Sequence, residues 1–168
     1  MRMSPAEAMA AAQMEITNGM AVRLAYCAHD ADTGELLQYG DDLCYVHGGS
    51  VDVFPKVEHS LAGCRVGERV CIELLPEEGY GRHDPERILV RRRDELPEEA
   101  CEPGVPLEAC WPDGTVECFV VTEVQGDRVV LDANHPWAGR RLLFEFEVLA
   151  IRPALAAERA TGRPLAPL

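Results

Sequence analysis

Asp132-Ala-Asn-His-Pro-Trp-Ala-Gly139, followed after two arginines by Leu142-Leu-Phe-Glu-Phe-Glu-Val-Leu-Ala-Ile-Arg152, is the stretch on which the fold turns. The loop crowds the turn formers Asn134, Pro136 and Gly139 around the large ring of Trp137. The segment after it alternates. Leu142, Phe144, Phe146, Val148 and Ala150 share one face, and Glu145 and Glu147 point the other way until Leu149 and Ile151 take over. An aromatic-rich strand fed by a tight turn implies a sheet that holds rings over a shallow apolar cavity. Upstream, Pro76-Glu-Glu-Gly-Tyr80-Gly81-Arg-His-Asp84 sets a second aromatic in a Gly-rich turn. Whether the two segments line one pocket is the functional question.

Bulk properties narrow the classes. The 168 residues suit one medium domain or two small ones, and a hydrophobic fraction of 47% is that of a folded protein. With Asp+Glu at 29 against Lys+Arg at 16, the net charge of −13 argues against nucleic-acid and anionic-membrane surfaces. The seven cysteines are odd in number and form no C-x-x-C pair, which fits a reducing compartment, so a cytoplasmic location is expected. Residues 1–13 are Ala- and Met-rich without the apolar core of a secretory signal, and read as a disordered or weakly helical extension. Met14 and Met20 are equally plausible start sites.

Along the chain, residues 20–28 alternate as a strand with Val22, Leu24 and Tyr26 on one face. Leu36–Tyr39 reads as a short second strand ended by Gly40-Asp41-Asp42, and Leu43–Val46 leads into a His47-Gly48-Gly49-Ser50 connector. Pro55 suits the first position of a short helix with Phe54, Val57 and Leu61 on one side and Gly63 as its stop. Val66-Gly67-Glu68 is a turn before a strand over Val70–Leu75. From Glu86 the texture changes: three arginines, an acidic Pro-containing run, then strand-like sequence. Within it, Thr115–Val124 places Val116, Cys118, Val120 and Val124 on one face, with Phe119 and Val121 opposite. Gly126-Asp127 is a hairpin turn, and Val129–Leu131 returns. The layout is all-β with one short helix and a strand-rich insertion.

In order, five pieces of the chain resemble the FKBP-type peptidyl-prolyl isomerases, in the SlyD/SlpA-like branch that carries a chaperone domain inserted in the flap. They are Met14-Glu-Ile-Thr-Asn-Gly19 with Val22-Arg-Leu-Ala-Tyr26, Phe54-Pro-Lys-Val-Glu-His-Ser-Leu-Ala-Gly63, Val66-Gly67-Glu68, Leu75-Pro-Glu-Glu-Gly-Tyr-Gly81, and Asp132–Gly139 with the strand after it. The resemblance implies a mainly β (α+β) fold: a twisted antiparallel half-barrel around one short helix, with a small inserted β-rich domain. It also implies a division into an isomerase domain at 14–84 and 131–153, an insert at 85–130, a disordered extension at 1–13 and a flexible tail at 154–168. Carried over motif by motif, the catalytic surface would hold Tyr26, Phe54, Tyr80 and Phe144, and the substrate-binding positions would be Val53, Val57 and Gln38. Gln38 stands where many members carry an Asp, and the short connector to Tyr45-Val-His-Gly48 leaves room for Asp41 or Asp42 to lie nearby. The His/Cys-rich metal-binding tail of some relatives is missing.

Chemistry agrees with a site made of rings. Rotation about X–Pro meets a barrier of ~18–20 kcal/mol because amide resonance is lost, and the twisted transition state is less charge-separated than the planar amide. An apolar site favours it over water with no nucleophile, metal or cofactor. Tyr80 is placed to add a hydroxyl hydrogen bond. Each of these side chains has a plainer reading as core packing. His47, His59, His83 and His135 lack metal-ligand spacing, Ser50 and Ser60 lack a nucleophile elbow, and Arg91–Arg93 reads as a solvated strand edge. The expected function is prolyl isomerisation on unfolded or proline-containing polypeptides by a monomer without nucleic-acid or membrane partners, with holdase activity in the insert. The rival is a non-catalytic peptide-binding chaperone on the same fold.

Overall fold

Apolar alternation becomes two antiparallel sheets in the computed structural model, which describes residues 4–50 and 52–168. Chain order begins with α1 (Pro5–Gln13), β1 (Met20–Asp30), β2 (Leu36–Val46), α2 (Pro55–Leu61) and β3 (Arg69–Leu74). It continues through β4 (Ile88–Arg92), β5 (Pro106–Cys110), β6 (Val116–Gln125) and β7 (Arg128–Asp132) to β8 (Leu142–Pro153) and α3 (Ala156–Thr161). One compact unit runs to Gly79 and resumes at Arg140, and the other is Tyr80–Gly139. The chain therefore has the expected α+β architecture with an inserted β-rich unit. Among the described residues no helix is long and apolar enough to cross a membrane.

The first unit's sheet has the order β2-β1-β8-β3. Pairing sets Ala28, Phe144 and Ile72 in one row and Tyr26, Phe146 and Val70 in the next, so these residues share a face. Between Arg23↔Ala150 and Leu24↔Val148 the extra residue is Leu149. This bulge flips the pleat, and it is why the apolar parity of β8 changes and Ile151 is buried.

β2 departs from expectation. Gly40-Asp41-Asp42 does not end it; the strand runs through to Val46, with Asp41 and Asp42 together opposite Ala25 as a bulge. Gly40 serves space rather than a turn, since a Cβ there would lie 3.0 Å from Tyr26 Cε1 and 3.1 Å from Asp42 Oδ1.

Both chain ends carry helices. Residues 5–13, read as a disordered or weakly helical extension, take the helical alternative as α1, capped by Ser4 and Glu7: the Ser4 N–H donates to Glu7 Oε2 at 2.7 Å and the Glu7 N–H to Ser4 Oγ at 3.2 Å. Residues 1–3 of that extension and Val51 lie outside the described residues. The expected flexible tail carries α3, whose Glu158 is fully buried.

The second unit's sheet has the order β4-β7-β6-β5 around Phe119, Val121, Val129, Leu131 and Ala133. Phe119 and Val121 form the buried face of β6, while Val116 and Cys118 are exposed. Val124 packs with Phe119 and Val121, not with Val116, because a bulge at Thr122 lies between Val121↔Leu131 and Glu123↔Val130. The unit extends past the expected 85–130 at both ends. The Asp84 N–H donates to Asn134 Oδ1 at 3.0 Å and Asn134 Nδ2 donates to the Asp84 carbonyl at 2.9 Å, tying the two flanks together.

Candidate active site

In the first unit the site residues fall on the sheet face and on the helix entry. Pro55 opens α2, Phe54 is its extended N-cap residue (φ −60°, ψ 142°), and Val57 and Leu61 are the buried side of the helix, which packs on β3. Phe54 is half-buried, Val53 and Val57 are buried. The helix end is tied to the chain entry: the Gly63 N–H donates to the Ile16 carbonyl at 2.8 Å, and the Ile16 N–H to the Cys64 carbonyl at 2.9 Å. On the sheet, Phe144 is 6% exposed and Phe146 4%, their rings parallel within 4° at a centroid distance of 5.5 Å. Tyr26, half-buried, stands in the same row as Phe146. Phe146 was not among the expected site residues, although its spacing of two from Phe144 marks the shared face.

Gln38 pairs with Ala28, so it emerges on the face of Tyr26 and Phe144, and it is exposed. Of the two nearby acids, Asp41 turns to Arg23, with an ion pair at 3.7 Å. Asp42 Oδ1 and the Tyr26 hydroxyl lie 3.1 and 3.3 Å from the position a Cβ on Gly40 would take.

Behind the connector, the buried Tyr45 hydroxyl lies 3.1 Å from His47 Nδ1. Burial pushes the Tyr45 phenol up and His47 down from their ordinary values. The His47 backbone pairs with Met20 and Gly19, and the Gly48 N–H donates to Glu58 Oε1. This histidine is structural. A trough of about 370 Å³ lies where Cys27, Cys71, Arg69, Glu145 and Glu147 alternate away from the aromatic face.

In the second unit, Tyr80 stacks on His135 with centroids 3.8 Å apart and planes within 11°. Trp137 meets both rings edge-on, at 5.4 Å from Tyr80 and 5.7 Å from His135. The two turn segments quoted from the sequence thus do meet here. Their backbones are zipped: besides the Asp84–Asn134 bonds, His83 Nε2 lies 2.9 Å from Asp132 Oδ2, and the Gly139 N–H donates to the Gly81 carbonyl at 2.8 Å. Burial alone would raise the Asp132 carboxyl, but hydrogen bonds from His83 and Asn134 outweigh it and hold it below the ordinary range. His135 Nδ1 accepts from the Trp137 N–H at 3.1 Å, and burial lowers its pKa, which places the proton of the neutral ring on Nε2. His135 and Trp137 were read as loop formers only, since nothing local to the loop tells where Tyr80 will stand.

No family model matches the chain. Among curated proteins it is 32% identical over 149 residues to the FKBP-type peptidyl-prolyl cis-trans isomerase SlyD of Treponema pallidum, covering 84% of this chain and 81% of that protein. The chain belongs to the FKBP-type peptidyl-prolyl cis-trans isomerases. This isomerase is also 34% identical over 111 residues to the FKBP-type 16 kDa peptidyl-prolyl cis-trans isomerase of Escherichia coli K12, covering 65% of the chain and 74% of the relative. To SlyD of the same strain it is 30% identical over 153 residues, 89% of the chain and 76% of the relative. It is a SlyD-like enzyme.

Proposed function

We propose that this isomerase turns X–Pro bonds of unfolded or partly folded polypeptides in the cytoplasm, as a monomer, and that residues 80–139 hold the client while it does so. Rotation would take place against Tyr26, Phe54 and Phe144, with Val53 and Val57 excluding water and Gln38 at the rim. Tyr80 would donate its hydroxyl to the substrate carbonyl. Loss of amide resonance reduces charge separation, so an apolar, water-poor surface binds the twisted state better than the planar one.

The observation that carries the client-binding half is an open apolar groove in the second unit. It has a volume of about 460 Å³ and is lined by Leu89, Leu96, Leu107, Trp111, Phe119 and Leu131. Trp111 is 37% exposed there, beside the acidic Glu95 and Glu108. A groove of that character suits an extended apolar chain, with charge keeping the protein itself soluble. Holding a client raises the effective concentration of its prolines at the pocket. The rival reading, a module without catalysis, has no comparable support, since the relatives are named isomerases.

Replacing residues 86–129 by a short loop between the hydrogen-bonded Asp84 and Asn134 flanks is the test. Tetrapeptide isomerisation should persist, proline-limited refolding of a protein should slow sharply, and aggregation suppression should vanish. Equal loss on peptide and protein, with the fold retained, would reject the division of labour.

A further inference from the structure

Val53 and Phe54 lie between the Gly48-Gly49-Ser50 turn and the first turn of α2, outside any strand. The residue before them is tied to the other end of the chain. Asp52, immediately before them, accepts the guanidinium fork of Arg163, Nε to Oδ2 and Nη2 to Oδ1, both at 2.9 Å. A two-pronged bond fixes orientation as well as distance. The Asp52 N–H donates to Ser50 Oγ at 3.1 Å.

Arg163 is itself mounted rigidly. Gly162 caps α3 in the left-handed region (φ +72°), its N–H donating to the Glu158 carbonyl at 2.8 Å. A Cβ on Gly162 would lie 2.6 Å from the Gly49 carbonyl oxygen, so helix end and connector approach backbone to backbone at a point only glycine allows. The buried Glu158 carboxylate accepts from both Nη atoms of Arg152, at 2.8 and 2.7 Å, and from the N–H groups of Leu155, Leu165 and Ala166. Those bonds fix the chain on both sides of residue 163.

We propose that Arg163 is a positioning residue of the isomerase: through Asp52 it sets the wall residues Val53 and Phe54, so that the C-terminal segment braces the substrate pocket. The inference rests on the reading of Val53 and Phe54 as pocket residues. Arg163 acts at one remove, through an ion pair whose side chains are 63% and 29% exposed, and salt therefore weakens it.

The test is steady-state isomerisation of an X-Pro tetrapeptide by the full chain, with kcat and KM measured separately. Arg163→Ala and Asp52→Asn should each raise KM roughly two- to fivefold, the range of a partly exposed ion pair, with kcat nearly unchanged and the far-UV circular dichroism native. Arg163→Lys should recover only part of the loss, because a point charge cannot fork. The reversed pair, Asp52→Arg with Arg163→Asp, should recover more than either single change, and added salt should raise the wild-type KM while leaving that of Arg163→Ala flat. Phe54→Ala separates the two readings. If it raises KM while Arg163→Ala and Asp52→Asn do not, the pocket stands and the brace is rejected. If Phe54→Ala changes neither constant, the pocket reading falls and the brace with it. Should Arg163→Ala fail to fold, a wild-type KM independent of salt overturns the proposal.

Discussion

The two sheets match in strand number and antiparallel pairing but differ in what covers them. In the first unit β8 is a central strand of 12 residues, and its apolar face, with Phe144, Phe146 and Val148 buried, shares a core with the buried side of α2. In the second unit the strands of β4, β5 and β7 have five residues each, and no α-helix lies among residues 80–139. Single 3₁₀ turns at Arg93–Glu95 and Glu98–Ala100 stand in its place, and Leu89, Leu107 and Trp111 are left lining an open groove. A covered sheet holds side chains in one arrangement, which a catalytic surface needs. An incompletely covered one leaves apolar side chains lining a groove that is open to solvent.

The sharpest way to break the comparison is to empty each core in turn. Phe144→Ala should destabilise the first unit by about 3–5 kcal/mol and abolish peptide isomerisation, read by thermal melting and a tetrapeptide assay. Phe119→Ala should cost the second unit a similar amount yet leave tetrapeptide turnover mostly intact while protein refolding suffers. Equal loss of peptide activity in both would erase the distinction. Hydrogen exchange offers a milder version: amides of β5 and β6 should exchange well before those of β1 and β8, because fewer buried side chains lock them.

Tyr80→Phe probes the stacked ring without removing it. Loss of one hydroxyl bond, about 0.5–1.5 kcal/mol, should slow tetrapeptide turnover between two- and tenfold with stability unchanged; an unaffected rate would make Tyr80 a packing residue.

Protonation compares the units through one histidine each. Burial lowers the pKa of His47 and of His135 below the ordinary 6.5, so the unfolded chain binds protons that the folded chain does not. Stability is then complete above about pH 6.5 and declines as pH falls below it. His47→Gln should flatten that decline in melts between pH 7 and pH 5, and His135→Gln should flatten it less, since Tyr80 covers one face of its ring while the residue otherwise meets solvent. The smallest effect is expected at the rim. Gln38→Asp should raise the tetrapeptide rate, and Asp42→Asn should lower it, each by less than tenfold because exposed charges are worth only about 0.2–1 kcal/mol.

Much of the first unit was legible. Parity in Leu142–Ala150 marks the buried face, and Pro55 and Gly63 bound a helix to within a residue or two, because both signals are local. Phe146 was equally legible as part of the buried face by its spacing of two from Phe144. His135 and Trp137 were not, since stacking on Tyr80 joins segments more than fifty residues apart. The parity of β6 misled at Val124 because one bulge at Thr122 reverses everything after it.

By itself, then, the sequence determined the strand parity of β8 up to its bulge, the helix entry and exit, the acidic surface and the family, all of them properties of short windows or of their order. Tertiary structure decided the rest. Gly40-Asp41-Asp42 resembles a strand end in isolation, yet it lies inside β2 with a bulge at residues 41–42, and at Gly40 the neighbouring Tyr26 occupies the space a side chain would need. Ala156–Thr161 resembles a polar tail until Arg152 and the amides of Leu165 and Ala166 converge on Glu158, and a buried carboxylate is tolerable only when such partners arrive together.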